Sequence, residues 1–320
     1  MNLMPLGLEH REFVTDYLRR FPPEVSELTF TNLFVWRLSR PVWLCEVERT
    51  LVFMAEDRHD ERAPVRVLLG PPVGPAAPER IADRLRGEAV AWERLDRRTA
   101  EALRAAGLAV EPDPDNSDYI YGVADLAGLE GRRYHNKRNL VDQCLAAYSC
   151  RYEPVTPAVV AECAAMQDSW CEARHCGLDP GLCREYAAIR ELFAHYAELG
   201  VMGGAIRVDG RIQAYAIAEA LAPGTAVWHF EKAMPAIHGL GQLITHWFAR
   251  EALGNFEYVN REQDLGIPGL RQAKRSLYPR HLVDKFRCAL AMGDRPGVGD
   301  PRECVRREAP DAAPATLLAL

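Results

Sequence analysis

The sequence predicts an α+β protein made of two similar halves, and three observations carry that reading. Strands, a loop rich in glycine or proline, a helix, a strand, a helix and a strand occur in that order in both halves of the chain. Runs that alternate apolar and polar residues at period two, bounded by turn residues, are separated by runs whose apolar residues recur at helical spacing. At 320 residues, 48% of them hydrophobic and 26% charged, the chain is long enough for two domains of ordinary size, each with its own core.

The elements follow in order. Residues 9 to 20 suit a helix carrying Phe13, Tyr17 and Leu18, and Phe30, Leu33, Phe34 and Trp36 form an apolar cluster read as core against the first sheet. PVWLCEVERTLVFMA (41 to 55) reads as a hairpin and VRVLLG (65 to 70) as a further strand. PPVGPAAP then leads into a helix over about 79 to 86, followed by the strand AVAWERL, the short helix RRTAEALRAAG, and a strand, turn and strand from LAVEPD to DYIYGV.

A linking helix starts near Gly131 and runs through KRNLVDQCLAAY. Helices fit residues 157 to 176 and 181 to 199, the second with a stripe of Tyr186, Ile189, Leu192, Phe193 and Tyr196. Asp209-Gly210 between two alternating runs signals a hairpin. The strand AVWHFEKAM, the loop HGLGQ, the helix LITHWFAREAL, the stretch from Phe256 to Pro279 and a last strand HLVDKFRCAL complete the fold. Residues 291 to 320, rich in Pro, Gly, Asp and Arg, read as a mobile tail.

Composition narrows the function. A net charge of −6 argues against a surface coated for non-specific nucleic-acid binding, so any RNA contact must be a local patch. No apolar run approaches the ~18 residues that span a bilayer, and a signal core is missing, so a cytoplasmic protein is expected. The nine cysteines are read as reduced thiols, and Cys163, Cys171, Cys176 and Cys183 with His175 are not read as a metal site. Only four of the 39 basic residues are lysine: Lys137, Lys232, Lys274 and Lys285. Such scarcity suggests positions that need a compact ammonium rather than a planar guanidinium.

The stretch from Phe256 to Pro279 changes character halfway. Phe256 to Val259 read as a strand, after which Asn260, Glu262 and Asp264 alternate with Arg261 and Gln263, as if the strand left the core for a cleft. Gly266, Pro268 and Gly269 then open a helix with Leu270, Ala273 and Leu277 on one face and Arg271, Lys274 and Tyr278 on another. From Asn260 to Lys274 the wording meets every fixed position of a motif close to N-R-E-x-D-L-G-x-x-G-L-R-x-A-K. In it the chain resembles soluble bacterial proteins related to the C-terminal domain of phosphatidylglycerol lysyltransferases. SELTFTNLFVW, DYIYGVADLAGLEGRRYHNKRN and HFEKA agree as well, and the resemblance spans about residues 5 to 290.

That resemblance implies tandem GNAT-like acyltransferase units around a central cleft, one over 1–130 and one, with the better-formed site, over 131–290. It also implies kinship with the Fem-type transferases that take amino acids from aminoacyl-tRNA. The expected activity is therefore transfer of an aminoacyl group from aminoacyl-tRNA to an amine or hydroxyl, with no cofactor. An acyl-coenzyme A donor is the alternative, and a non-catalytic module that senses an amino acid or nucleotide is a third reading. A small-molecule, lipid or peptide acceptor is left open.

Resemblance and charge chemistry together nominate the site residues. Glu231, Lys232, Glu262 and Asp264 are the candidates for catalysis, with Glu231 and Lys232 pointing to opposite faces of one strand and Glu262 and Asp264 sharing a carboxylate site. Asn260, Arg261, Arg271, Lys274 and Tyr278 are candidates for holding substrate, and Gly239 and Gly241 in HGLGQ for cradling phosphate. The usual GNAT loop has Gln or Arg three residues before its first glycine, where this chain has Ala236. Arg132, Arg133, Lys137 and Arg138, clustered at a helix start, are candidate RNA or phosphate contacts.

Overall fold

Alternating apolar residues dictate strands that bury one face, and the strands assemble into two mixed seven-stranded sheets flanked by helices. The computed structural model describes residues 3–57 and 65–290. The expected tail lies outside the described residues. In chain order the strands are β1 (Met4–Pro5), β2 (Val42–Val47), β3 (Thr50–Asp57), β4 (Val65–Val73), β5 (Ala91–Leu95), β6 (Val110–Pro112) and β7 (Asp118–Gly122). The second series is β8 (Cys150–Pro154), β9 (Met202–Val208), β10 (Arg211–Ala222), β11 (Thr225–Ala233), β12 (Tyr258–Asn260), β13 (His281–Val283) and β14 (Phe286–Ala289).

One sheet runs β1-β2-β3-β4-β5-β14-β6 and the other β13-β7-β12-β11-β10-β9-β8. β1 to β6 thus repeat as β8 to β13, and each sheet takes its seventh strand from the opposite series. β7 lies between β12 and β13, and β14 lies between β5 and β6. The repeat extends to direction, since β4 with β5 and β11 with β12 are the parallel pairs. Each of these is joined by a crossover helix, Pro78–Arg84 in the first half and Leu240–Glu251 in the second. This is the expected α+β architecture of two GNAT-like units.

The sheets do not divide at the expected boundary between residues 130 and 131. HLVDKFRCAL, expected as one strand, is cut at Asp284 and Lys285 into β13 and β14, which sit in different sheets. The segment from LAVEPD to DYIYGV is likewise divided between sheets as β6 and β7. Both crossing points meet at one fully buried ammonium. Lys285 Nζ donates to Asp118 Oδ1 at 2.6 Å, to Glu27 Oε2 at 2.6 Å and to Ser26 Oγ at 3.3 Å. Asp118 also accepts from the Ser26 backbone N–H at 2.8 Å and from Asn260 Nδ2 at 2.9 Å. Burial pushes the Glu27 carboxyl up, against the pull of Lys285.

The largest apolar cluster is shared by the halves. Leu33 and Phe34 of helix Phe30–Trp36 pack with Leu192, Phe193, Tyr196, Ile217 and Phe230 from the second series. A second cluster fills the space between the second sheet and helix Leu240–Glu251. One expectation about cysteine is corrected: Cys171, in the last turn of helix Pro157–Ala173, and Cys176, before helix Pro180–Ala194, read as free thiols, form a disulfide. Their separation of five residues across a helix end brings the two side chains together, which composition alone does not show.

Candidate functional site

β11 and β12 are hydrogen-bonded only from Thr225/Tyr258 to Val227/Asn260, and β12 then stops while β11 continues to Ala233. A gap therefore opens between two parallel strands. On the β10 side Ile217 faces Phe230 and Ala218 faces Trp228, leaving His229 as the extra residue of a bulge. Beyond Asn260 the chain does not keep the expected strand alternation. Glu262 and Leu265 take left-handed backbone, φ 58° and 55°, and Asn260 Oδ1 holds the Glu262 N–H at 2.8 Å. As a result the consecutive residues Arg261 and Glu262 reach across the gap on opposite faces of the sheet.

On the face toward helix Leu240–Glu251, Arg261 Nη2 donates to Glu231 Oε2 at 3.1 Å, and its guanidinium lies 4.4 Å from the Trp228 ring. Thr245 Oγ1 lies 3.0 Å from the same carboxylate oxygen. Arg261 Nη1 is buried without a hydrogen-bond partner. Lys274 Nζ donates to the Arg261 carbonyl oxygen, and Lys137 Nζ to Ser276 Oγ at 2.8 Å. Burial, then the neighbouring Arg261 cation, lowers the Lys274 ammonium to about 8 and moves Lys137 in the same direction.

On the opposite face His229 is clamped between carboxylates, Nε2 to Glu219 Oε1 at 2.9 Å and Nδ1 to Glu262 Oε1 at 2.9 Å. Asn32, from the first half, donates to the same Glu262 oxygen at 3.3 Å. Burial alone would lower the imidazole, but the two carboxylates outweigh it and raise it to about 9 from an ordinary 6.5. His229 is thus a cation at neutral pH. Its folded value lies above its unfolded one, so its stabilising contribution is complete below pH 6.5 and is lost as pH rises through 9. A shift of that size corresponds to about 3 kcal/mol. Denaturation midpoints of wild type and His229→Gln should therefore converge between pH 6.5 and 9.5, and a constant difference would show that His229 does not titrate there.

The other nominated residues have structural partners. Asn260 is fully buried and anchors Asp118 and the Glu262 backbone. Asp264 does not share a site with Glu262: Arg271, Tyr119 (2.6 Å) and the Gly266 N–H (2.9 Å) hold it, and despite burial they lower its carboxyl to about 2. Arg271 also pairs with Asp115 at 2.7 Å and so is not an open phosphate ligand. The positive φ at Glu262 is what separates the two carboxylates. Lys232 does point away from Glu231, pairing with Glu185 at 2.7 Å with its ammonium 4.4 Å from the Trp170 ring. Tyr278 is exposed at the edge of the Tyr134 ring.

Gly239 takes φ 80°, and a side chain there would collide with the Leu140 carbonyl oxygen. This loop thus packs on helix His135–Ala147, which accounts for Gly239 without a bound phosphate. Gly241 lies in the first turn of helix Leu240–Glu251, and its carbonyl oxygen is 2.9 Å from Thr245 Oγ1. The basic helix start is divided in role. Arg138 donates to the carbonyls of Leu129 and Gly131, closing the preceding helix, while Arg133 pairs with Asp125 at 3.1 Å. Arg132 is exposed, and Lys137 reaches Ser276, two residues beyond Lys274.

His229, Glu219 and Asn32 are site residues that the sequence reading did not nominate. His229 stands two residues before Glu231 in the quoted HFEKA segment and Asn32 within the quoted SELTFTNLFVW, but Glu219 lies in no quoted segment and arrives from another strand. A separate cavity of about 320 Å³, lined by Glu162, Met166, Ser169, Arg211, Gln213 and Met234 among others, does not include Glu262. Among the described residues no helix is long and apolar enough to cross a membrane.

Residues 18–289 match the family model described as phosphatidylglycerol lysyltransferase, C-terminal. A conserved protein of unknown function from Bacteroides thetaiotaomicron is similar in structure, with a TM-score of 0.81 and 27% identity over 91% of this chain and 100% of the other. The C-terminal domain of a protein described as a lysylphosphatidylglycerol synthetase from Agrobacterium fabrum has a TM-score of 0.61 at 15% identity, over 88% and 92% of the two chains. L-PGS from Bacillus licheniformis has a TM-score of 0.58 at 13% identity, over 87% and 91%. A comparison with curated proteins finds no match.

Proposed function

We propose, for a chain that belongs to the phosphatidylglycerol lysyltransferase C-terminal family, that it transfers an aminoacyl group from aminoacyl-tRNA to an amine or hydroxyl acceptor at the gap between β11 and β12. The observation that carries the reading is the gap itself, spanned by Arg261–Glu231 on one face and Glu262–His229 on the other. An aminoacyl ester is already activated, so the protein need only orient the acceptor, take its proton and favour the developing oxyanion. Glu262 is the carboxylate placed to take the proton: Oε1 accepts from His229 and Asn32, which leaves Oε2 for substrate. Both Glu231 oxygens lie within hydrogen-bond reach of the single Thr245 hydroxyl and Oε2 accepts from Arg261, which suits a fixed anchor for an ammonium group.

The loop sequence supports tRNA over coenzyme A. Three residues before Gly239 the chain has Ala236 in place of Gln or Arg, and the left-handed Gly239 is accounted for by its packing on the Leu140 carbonyl. The test is a transfer assay with mixed tRNA charged with labelled amino acids, alongside titrations of tRNA and coenzyme A at two salt concentrations. Label should leave tRNA, and tRNA affinity should fall steeply with salt. Micromolar coenzyme A affinity with no measurable tRNA binding would overturn the proposal.

A further inference from the structure

We infer that Arg261, Lys274 and Lys137 form a single-anion subsite, beside the gap, for a phosphate-like group. The inference deepens the transferase reading and rests on it for the identity of the ligand, but its geometry stands alone. The guanidinium of Arg261 shares one carboxylate, Glu231, and its Nη1 is buried with nothing to donate to. Among the described residues, the ammonium of Lys274 has the Arg261 carbonyl as its one acceptor, and that of Lys137 the Ser276 hydroxyl. Among the described residues, Glu231 is thus the one carboxylate hydrogen-bonded to any of these three partly buried cations. Removing charge from water without a counter-charge costs several kcal/mol, and an anion that takes donors from all three offsets it.

The neighbours of Lys274 define its pH response. Burial is the largest influence on its charge, Arg261 repels it, and Glu262, Asp118 and Asp264 attract it. The net effect leaves the ammonium titrating near 8, so anion binding should weaken as pH rises through that value. Lysine rather than arginine suits the place, because a guanidinium is larger and spreads its donors in a plane.

Sulfate is the probe, because its own charge is constant over the range. Calorimetric titration at low salt should give affinity at pH 6.5 at least about tenfold tighter than at pH 9.5, the size of one lost charge-assisted hydrogen bond. Lys137→Gln, at a partly exposed position, should weaken sulfate about tenfold with an unchanged denaturation midpoint, and Lys274→Arg should weaken it although charge is kept. A phosphate of an RNA acceptor end and a free phosphorylated metabolite share this chemistry. Displacement of sulfate by a minihelix ending in CCA identifies the first, and displacement by adenosine monophosphate but not by the minihelix identifies the second. No sulfate binding to the wild type, or binding indifferent to pH and to Lys137→Gln, overturns the subsite. Sulfate binding without aminoacyl transfer keeps the subsite and removes the transferase reading, whereas transfer without sulfate binding does the reverse.

Discussion

Lys285→Met is expected to lower folding stability by about 3–5 kcal/mol, because it leaves the buried Asp118 carboxylate without its cation and Glu27 with Arg94 alone, at 3.3 Å. Lys285 has no exposed side-chain surface, and its two carboxylate contacts are each 2.6 Å. The pair does more than satisfy charge. Asp118 begins the strand that the first series gives to the second sheet, and Lys285 precedes the strand returned in exchange. The Asp113 N–H donates to the Lys285 carbonyl at 2.8 Å, so the two crossings are tied through backbone as well. The neighbouring ion pair between Arg97 and Asp284 supplies a control, since both side chains are about half exposed, and Asp284→Ala should cost less than about 1 kcal/mol. Urea denaturation of the two variants checks the contrast. Equal midpoints would mean that the ammonium is not what closes the strand exchange.

Glu262→Gln is expected to lower the rate of aminoacyl transfer by about 10² to 10⁴, the usual contribution of a positioned general base. The amide keeps an oxygen for Asn32 and His229 to donate to, so the left-handed backbone held by Asn260 should survive. It removes one of the two carboxylates that raise His229, whose titration should move down from about 9. Single-turnover transfer and an NMR titration of the histidine check the two halves of this prediction. A normal rate in Glu262→Gln with a dead Glu231→Gln would move the proton-accepting role across the sheet to Glu231.

The order of elements was legible because each depends on short-range pattern. Asp209-Gly210 between alternating runs is a hairpin, with both residues at positive φ as such a turn requires. Glu231 and Lys232 point to opposite faces because a strand has period two. The four scarce lysines each have defined partners: Lys137 donates to Ser276, Lys274 to the Arg261 carbonyl, Lys232 meets Glu185 and an indole face, and Lys285 is buried at the strand exchange. A compact ammonium can be enclosed at these places by three acceptors or fewer.

Local pattern could not show which strand lies beside which. β6 and β7 are five residues apart in sequence, as are many strands that pair with each other, and nothing in either names a sheet. Backbone hydrogen bonds are the same for every residue, so a strand's neighbours are chosen by which cores its two faces fill. The same limit hid the site's second half. His229 becomes a cation only because Glu219 and Glu262 converge on it from another strand and from a loop held at positive φ. The amino-acid sequence by itself determined two alternating halves and the family motif from Asn260 to Lys274. The tertiary structure decided which carboxylate of that motif faces the gap and which is locked against Arg271, because one left-handed residue, Glu262, turns the chain between them.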